Sequence, residues 1–340
     1  MTRRRVLTIA VVAGLLTSCT ASSSAPFSST PSVEVPEPVG ARLVTSASAS
    51  AEEDCDPTRS FRPPPVLPEP GQMPVGSTME RIVEDGFLRA GVDQTTNLMG
   101  YRDPATNRID GFDIEMVREV ARALFGTEDV DNHIKWVAIT SGQRTDVLGN
   151  PEEGTEEAKQ PQQPQVDIVV RTMTATCERW ETVLFSTTYL EARQRILVPQ
   201  DNEDITGKDD LAGRRVCSAT ASTSLSRLVE LENGPRVTAV PHWSDCLVML
   251  QQQQVDAVST DDTILAGMVA QDPNLKVVGE PFSSERYAMA FRQEEEDFVR
   301  FANGVLERMR ADGTWQRLYD AWLAGPLGRA SPPPEPRYQD

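Results

Sequence analysis

Residues 166–199 place two short apolar runs on either side of a polar cluster. The run at 166–170 is rich in β-branched residues and predicts a buried strand, and the run at 195–198 predicts a second strand. Open α/β sheets bind ligands just beyond the carboxyl ends of their strands. An arginine there can hold a carboxylate in a bidentate fork, completed by threonine hydroxyls, although an ordinary surface arginine is the alternative. The side chains that follow the first run are Thr172, Thr174, Thr176 and Arg179.

Charge and composition exclude several classes of function. The chain has 340 residues, with 33 basic against 51 acidic side chains and a formal charge of −18. This acidity argues against nucleic acid as a partner and against a basic membrane-binding surface. Its two histidines, His133 and His242, lie far apart in the sequence, so a catalytic triad or a zinc site is not expected. Without a glycine-rich nucleotide motif, we expect neither a metal nor a cofactor.

The N-terminus has the pattern of an export signal. Basic residues at 3–5 precede an apolar run at 6–16, which is too short to span a bilayer. The following Leu-Thr-Ser-Cys resembles a bacterial lipobox, so we predict a signal peptide at 1–18 and a lipidated Cys19. Several acyl chains on one residue would anchor the protein stably to the outer face of the membrane. An ordinary secretory signal with an incidental cysteine is the alternative.

Four further cysteines indicate disulfides, because an exported protein matures in an oxidising environment. Cys55, Cys177, Cys217 and Cys246 allow three pairings. We favour Cys217–Cys246 within one lobe of the fold. Cys55–Cys177 would then hold the N-terminal segment beside the proposed site. Free buried thiols are the alternative.

Composition also separates a folded body from its flanks. Residues 20–50 are Ala, Ser, Pro and Thr with few large apolar side chains, which predicts a flexible tether. A proline-dense stretch at 61–74 predicts an extended strap along the body, so that the tether and strap together occupy 19–76. The polar stretch at 150–165 predicts an exposed insertion. The end of the chain, 328–340, contains three consecutive prolines and predicts a disordered tail.

Between these flanks, apolar strands alternate with amphipathic helices, which is typical of an α/β fold. The strand predictions include 88–92, 134–137, 215–218 and 255–258, and a helical region around 298–322 closes the body. Two more polar clusters follow predicted strands. Residues 220–224 open a helix, where exposed N–H groups favour an anion. Asp261 or Asp262 leaves another strand and suits an ammonium group.

Each cluster alone is explained equally well by ordinary helix capping, because Ser, Thr and Asp are the preferred caps. Together, a cation, an anion-binding helix end and a carboxylate match the two charges of a zwitterionic α-amino acid. The residue types therefore predict an amino-acid site between strand ends.

The stretch 88–323 resembles the bacterial extracellular solute-binding proteins of family 3, which bind polar amino acids. Within that family it is similar to the glutamine-, glutamate- and aspartate-binding lipoproteins of ABC importers. The resemblance implies a two-lobe α/β fold of the periplasmic-binding-protein type II (clam-shell) class with two crossover strands. Lobe 1 would comprise 78–190 plus 287–327, and lobe 2 would comprise 191–286. The matching blocks, in the family's order, are LRAGVD, GYRDP, GFDIEMVREVA, VDIVVRTMTATCERWETVLFSTTYL, VCSATASTSL, VDAVSTDDTILAG and MRADGTWQRLYDAWL.

The resemblance also implies roles for single residues. Arg179 matches the arginine that holds the α-carboxylate, Thr174 matches its hydroxyl partner, and Thr172 lies in the same block. Ser222 and Thr223 match the carboxylate site of the second lobe. Asp261 matches the acid that binds the ammonium group.

Departures from the family pattern concern the ligand's side chain. Ala221 stands where the family often has glycine. Many glutamine and basic amino-acid binders have aromatic residues in the first loop and after the second strand, where this chain has Thr96 or Asn97, and Thr140. The resemblance therefore implies a more polar pocket, with Asp93 and Thr140 among its ligand-binding candidates. Arg144 lies in a run that resembles acidic amino-acid binders, where an arginine can face a side-chain carboxylate. A structural salt bridge is the alternative for Arg144.

The resemblance implies extracytoplasmic capture of a free polar amino acid. We expect glutamate or aspartate first and asparagine or glutamine next, with delivery by a monomer to the membrane permease of an ABC importer. A sensor subunit that reports to a membrane signalling protein is one alternative. An enzyme on the same fold is less expected, because no histidine lies near either cluster.

Overall fold

Two sheets, each with its own helices, form two lobes joined by a pair of antiparallel strands. The computed structural model describes residues 36–45, 55–149, 165–329 and 335–340. The strands are β1 (Arg42–Val44), β2 (Arg59–Ser60), β3 (Leu88–Val92), β4 (Thr95–Thr96), β5 (Gly100–Arg102), β6 (Ile109–Asp110), β7 (Ile134–Ala138), β8 (Ile168–Val169), β9 (Leu184–Phe185), β10 (Leu190–Ala192), β11 (Gln194–Pro199), β12 (Arg215–Ala219), β13 (Arg236–Val240), β14 (Ala257–Asp261), β15 (Leu275–Val278), β16 (Glu285–Tyr287), β17 (Ala290–Phe291) and β18 (Arg337–Tyr338).

Helices follow most of these strands. The α-helices are α1 (Thr78–Asp85), α2 (Phe112–Phe125), α3 (Cys177–Trp180), α4 (Thr223–Glu230), α5 (Trp243–Gln251), α6 (Asp262–Gln271), α7 (Glu296–Ala311), α8 (Thr314–Trp322) and α9 (Ala324–Leu327). Short 3₁₀ turns cover Val130–His133, Ser141–Gln143, Asp146–Leu148 and Lys208–Leu211.

Lobe 1 is built on the sheet β7-β3-β8-β17-β9. Strand β3 runs parallel to β7 and β8, whereas β17 runs antiparallel to β8 and β9. All β3 residues except Arg89 are buried, as expected for a parallel strand covered on both faces. Phe112 of α2, Phe298 of α7 and Trp315 of α8 belong to the apolar core of this lobe.

Lobe 2 is built on the sheet β1-β13-β12-β14-β11-β15. Strand β12 runs parallel to β13 and β14, and β11 runs antiparallel to β14 and β15. The predicted disulfide Cys217–Cys246 joins β12 to α5, with the two Cα atoms 5.4 Å apart. The second predicted disulfide, Cys55–Cys177, joins the N-terminal segment to α3. Both favoured pairings are therefore confirmed.

The lobes are joined by the crossover strands β10 and β16. These strands pair antiparallel, with Leu190 opposite Tyr287 and Ala192 opposite Glu285. Two separate lobes with a paired double crossover are the predicted type II arrangement.

The tether prediction is wrong at its C-terminal end. Instead of remaining flexible, Arg42–Val44 forms the edge strand β1, paired antiparallel with β13 in the register Arg42 opposite Ala239. Ala41 and Val44 pack against the two apolar clusters of lobe 2. The physical reason is that β13 would otherwise leave a row of unpaired backbone groups at the sheet edge.

The prediction of a disordered tail is wrong for residues 335–340. Strand β18 pairs in parallel with β2, which directly precedes the strap, and Oδ1 of Asp340 accepts a hydrogen bond of 2.9 Å from the N–H of Arg62 in the strap. The Tyr338 hydroxyl donates to Glu307 of α7. The tail thus folds because β2 offers it an open strand edge and Arg62 is a positively charged neighbour.

Several predictions fall outside the described residues: the signal peptide at 1–18, Cys19, and most of the insertion at 150–165. Within the part of the chain that the structure describes, none of the helices is both long and apolar enough to cross a membrane.

Candidate functional site

The ends of strands β8, β12 and β14 bring the predicted site residues to the junction between the lobes. A cavity of about 760 Å³ lies there, and side chains from both lobes line it. Of the predicted residues, the cavity is lined by Arg144, Arg179, Ser222 and Thr223. Thr172, Thr174 and Asp261 are buried where the two lobes meet.

The Arg179 guanidinium donates hydrogen bonds to both lobes. Its Nη1 donates to the Thr174 carbonyl at 2.5 Å and its Nη2 to the Ala221 carbonyl at 2.9 Å. Burial lowers the pKa of Arg179, and the negative charges of Glu285, Glu178 and Asp261 oppose that shift. No carboxylate oxygen of a described residue forms an ion pair with this guanidinium, so its charge is open to an anionic ligand.

Arg144 is more deeply buried, with an exposed fraction of 4%. Its three guanidinium nitrogens donate to the carbonyls of Ser141 (2.8 Å), Thr172 (3.1 Å) and Ala221 (2.9 Å). Burial first, and then the positive charges of Arg179 and Arg171, lower the pKa of Arg144 well below its usual range. Among the ion pairs between described residues none involves Arg144, so the alternative of a structural salt bridge is not realised there.

The carbonyl of Ala221 accepts from both arginines, and its backbone is held in an unusual conformation. Ala221 has a φ of 55°, in the left-handed region that disfavours residues with a Cβ. This is the position at which the family resemblance implies a glycine. The loop keeps the conformation that glycine would adopt easily, and this conformation directs the Ala221 carbonyl at the two guanidinium groups.

Arg171 is a buried residue that the sequence pattern did not single out. Its Nη2 lies 2.7 Å from Oδ2 of Asp93, its Nε donates to the Ile139 carbonyl at 2.8 Å, and its Nη1 donates to the Ser141 hydroxyl at 2.7 Å. The sequence feature that could have identified Arg171 is its position as a charged residue directly after the apolar run 166–170. Arg171 orders the loops that surround the cleft.

Asp93 therefore has internal partners on both oxygens. Oδ1 accepts from the Thr95 backbone N–H at 2.8 Å, and Oδ2 accepts from the Thr96 hydroxyl at 2.7 Å and faces Arg171. Thr140 is similarly occupied, because it caps the turn Ser141–Gln143. Both residues position the first loops of lobe 1 around the cleft.

Thr172 combines strain with an unpaired hydroxyl. Its φ is 39°, and its N–H donates to Oδ2 of Asp113 at 2.7 Å. The buried Thr172 Oγ1 has no hydrogen-bond partner among the described residues. Since buried hydroxyls are normally paired, this group suits a polar ligand atom.

In lobe 2, Ser222 and Thr223 play different roles. Ser222 caps α4, accepting from the Leu225 N–H at 3.0 Å and donating to the Ala219 carbonyl at 2.7 Å. The Thr223 hydroxyl donates to Oε2 of Glu285 at 2.7 Å, and the Thr174 hydroxyl donates to the same oxygen at 2.7 Å. Glu285 was missed in the sequence because it lies in a polar stretch.

Asp261, rather than Asp262, faces the buried cluster. Asp261 accepts from the Tyr287 hydroxyl at 2.5 Å and from the Ser224 hydroxyl at 3.2 Å. Burial, followed by the charge of Glu285, raises the pKa of Asp261 to about 8. Asp262 instead accepts from the Arg193 backbone N–H at 3.1 Å. The junction thus contains two arginines, Arg144 and Arg179, together with the Asp261 carboxyl group, which ionises at a pH of about 8.

A two-lobe fold with cationic and acidic groups facing each other across a cleft defines a solute-binding protein. The chain belongs to the bacterial extracellular solute-binding proteins, family 3, whose model matches residues 88–325. This assignment places it among extracytoplasmic binding proteins rather than enzymes.

Relatives and a solved structure agree with the family. The chain is 28% identical to the ABC transporter glutamine-binding protein GlnH of Bacillus subtilis, covering 72% of this chain and 84% of that protein. It is 31% identical to the glutamate-binding protein GluB of Corynebacterium glutamicum, covering 69% and 78%. An ancestral arginine-binding protein bound to glutamine matches with a TM-score of 0.60 and 29% identity, covering 70% of this chain and 98% of that chain.

The internal pairing of Asp93 is open to test by substitution. We expect Asp93→Ala to lower the free energy of unfolding by about 3–5 kcal/mol, because it leaves Arg171 as an unpaired buried charge. Urea denaturation followed by circular dichroism measures this change. The matched control is Asp85→Ala, which removes a partly exposed partner of Arg89 and should cost less than about 1 kcal/mol. An Asp93→Ala protein of wild-type stability would contradict the structural role.

Proposed function

We propose that this protein captures an acidic amino acid outside the cytoplasmic membrane and presents it to the permease of an ABC importer. Glutamate and aspartate are the preferred ligands, and asparagine and glutamine follow. The observation that carries this proposal is the convergence of Arg144 and Arg179 on the Ala221 carbonyl. A buried guanidinium (Arg144) and a partly buried one (Arg179), neither with a carboxylate partner among the described residues, favour a ligand with two carboxylates.

The ligand's charges can be assigned to the side chains of the cleft. Arg179, with the hydroxyls of Thr172 and Thr174, holds the α-carboxylate, and Arg144 holds the carboxylate of the side chain. Asp261 holds the ammonium group. Binding of GluB to glutamate and of GlnH to glutamine, as their names state, supports a ligand of this size. The ABC transporter in the name of GlnH supports the importer as partner.

Removing each arginine should have a different effect on ligand selection. A micromolar Kd corresponds to about −8 kcal/mol. Arg179→Ala should weaken all four ligands by at least about 100-fold, because it leaves the α-carboxylate buried without its cation. Arg144→Met should weaken glutamate and aspartate by about 10- to 100-fold and their amides by less than about threefold. Isothermal titration calorimetry of lipid-free protein measures these affinities.

Arg214→Ala is the control, because this arginine pairs only loosely with Asp204 on the surface of lobe 2. It should leave every affinity unchanged. An equal loss for all four ligands in Arg144→Met would show that Arg144 does not read the ligand's side chain. Unaltered affinity in Arg179→Ala would remove the basis of the whole site assignment.

The raised pKa of Asp261 predicts opposite pH trends for stability and binding. Between the ordinary pKa near 3.8 and the folded value of about 8, the folded protein holds a proton that the unfolded chain has lost. Asp261 therefore stabilises the fold at low pH, and this contribution is lost as the pH rises to about 8. An ammonium ligand needs the ionised carboxylate, so affinity should rise over the same range and binding should release a proton.

Asp113 and Glu295 also have raised pKa values near 7 because they are buried. The measurement must therefore be the difference between wild type and Asp261→Asn. Calorimetry in buffers of different ionisation enthalpy should detect proton release at pH 7 in wild type. Wild-type binding without any proton exchange would argue against Asp261 as the ammonium site.

We also propose that acyl chains on Cys19 attach the protein to the membrane, on the basis of the basic, apolar and Leu-Thr-Ser-Cys pattern at the N-terminus. Cys19→Ala should move the protein from the membrane to the soluble fraction with unchanged ligand affinity. Membrane fractionation followed by immunoblotting measures this distribution, and Cys19→Ala that stays in the membrane fraction would mean that another attachment exists.

A further inference from the structure

Glu285 is a buried carboxylate at the start of crossover strand β16, with no measurable exposure. Its Oε2 accepts from Thr174 of lobe 1 and from Thr223 of lobe 2, each at 2.7 Å. Its Oε1 accepts from the Ser283 hydroxyl at 2.6 Å and lies 3.3 Å from Nε of Arg227. A buried carboxylate is tolerated only with such partners, and here one oxygen atom bridges both lobes.

Thr174 is assigned above to the ligand's α-carboxylate, and the family resemblance implies that Thr223 belongs to the carboxylate site of the second lobe. A threonine hydroxyl has one hydrogen to donate. While Glu285 accepts both hydrogens, the α-carboxylate of an amino acid can receive neither. A protein carboxylate therefore occupies hydrogen bonds that a ligand carboxylate would need.

The electrostatic neighbourhood of Glu285 agrees with this position. The charge of Glu285 favours the charged form of Arg179 and raises the pKa of Asp261. These are the two groups proposed to hold the carboxylate and the ammonium group of the ligand. Glu285 thus lies close enough to act on both ends of the proposed ligand site.

We propose that Glu285 is an internal competitor of the ligand: its carboxylate joins Thr174 to Thr223, holds the lobes together, and must release both hydroxyls when an amino acid binds. This inference rests on the proposed function for the identity of the ligand, whereas the joining of the lobes does not depend on it. Because a binding-competent state that is only partly populated weakens apparent affinity, Glu285 sets the ligand concentration at which the protein loads.

Two variants separate competition from a role in ligand binding. Glu285→Ala removes the bridge, and Glu285→Gln keeps the size of the side chain and one acceptor oxygen, which protects the fold. The matched control is Glu191→Gln, because Glu191 is an exposed glutamate of the other crossover strand and its carboxylate accepts from the Ser284 hydroxyl. Small-angle X-ray scattering reports the separation of the lobes, and calorimetry with L-glutamate reports affinity.

We expect Glu285→Ala to increase the radius of gyration without ligand and to tighten glutamate binding by about tenfold or more, with a smaller effect for Glu285→Gln. Saturating glutamate should return both variants to the wild-type radius. Glu191→Gln should match wild type in both measurements.

Weaker glutamate binding in the Glu285 variants would overturn the proposal and would assign Glu285 to the ligand's ammonium group. Unchanged scattering would also overturn it, as would opening without tighter binding. If wild type binds none of the four amino acids, the proposed function fails on its own. The scattering of Glu285→Gln then still decides whether Glu285 joins the lobes.

Discussion

The antiparallel pairing of β10 with β16 is the interaction on which the rest of the structure depends. Tyr189, just before β10, donates its hydroxyl to Asp113 of lobe 1 at 2.7 Å, and Tyr287 in β16 donates to Asp261 of lobe 2. Both bonds are buried, so losing either one leaves an unpaired polar group in a medium of low dielectric constant. Each crossover strand is thereby fixed to one lobe. Glu285 lies two residues before Tyr287, so the strand that joins the lobes also carries a side chain next to the proposed ligand site.

Of the three arginines at the junction between the lobes, two form no ion pair with a carboxylate of the described residues. Arg171 has a partner in Asp93, whereas Arg144 and Arg179 rely on backbone carbonyls. A guanidinium does not lose its proton in proteins, so burial cannot be relieved by neutralisation. The carbonyl dipole of Ala221, held at a strained φ, compensates only part of the cost. An anion at this junction would gain more than it would at an exposed arginine, which supports the anionic ligand proposed above.

Much of this arrangement could be predicted from local patterns. Strand 88–92 was predicted with the bounds that the structure has, because a buried strand of apolar residues is a strong signal. The rule that ligands bind beyond strand ends predicted that Thr174, Thr223 and Asp261 lie near one another. Ser222 caps helix α4, which is the alternative that the local sequence pattern had left open. Glu285 could not be found this way, because its Ser-Ser-Glu-Arg surroundings resemble an exposed loop and only the register with β10 buries it.

Strand β1 is a second element that the local sequence pattern could not predict, and it lies beside the cavity between the lobes. A strand of three residues is too short to show periodicity, so only the open edge of β13 selects Arg42–Val44 for pairing. The same residues line the cavity that contains Arg144 and Arg179. Cys55, later in the same N-terminal part of the chain, is bonded to Cys177 of α3 in lobe 1. Strand β1, which the composition had assigned to a flexible tether, is thus part of the wall of this cavity.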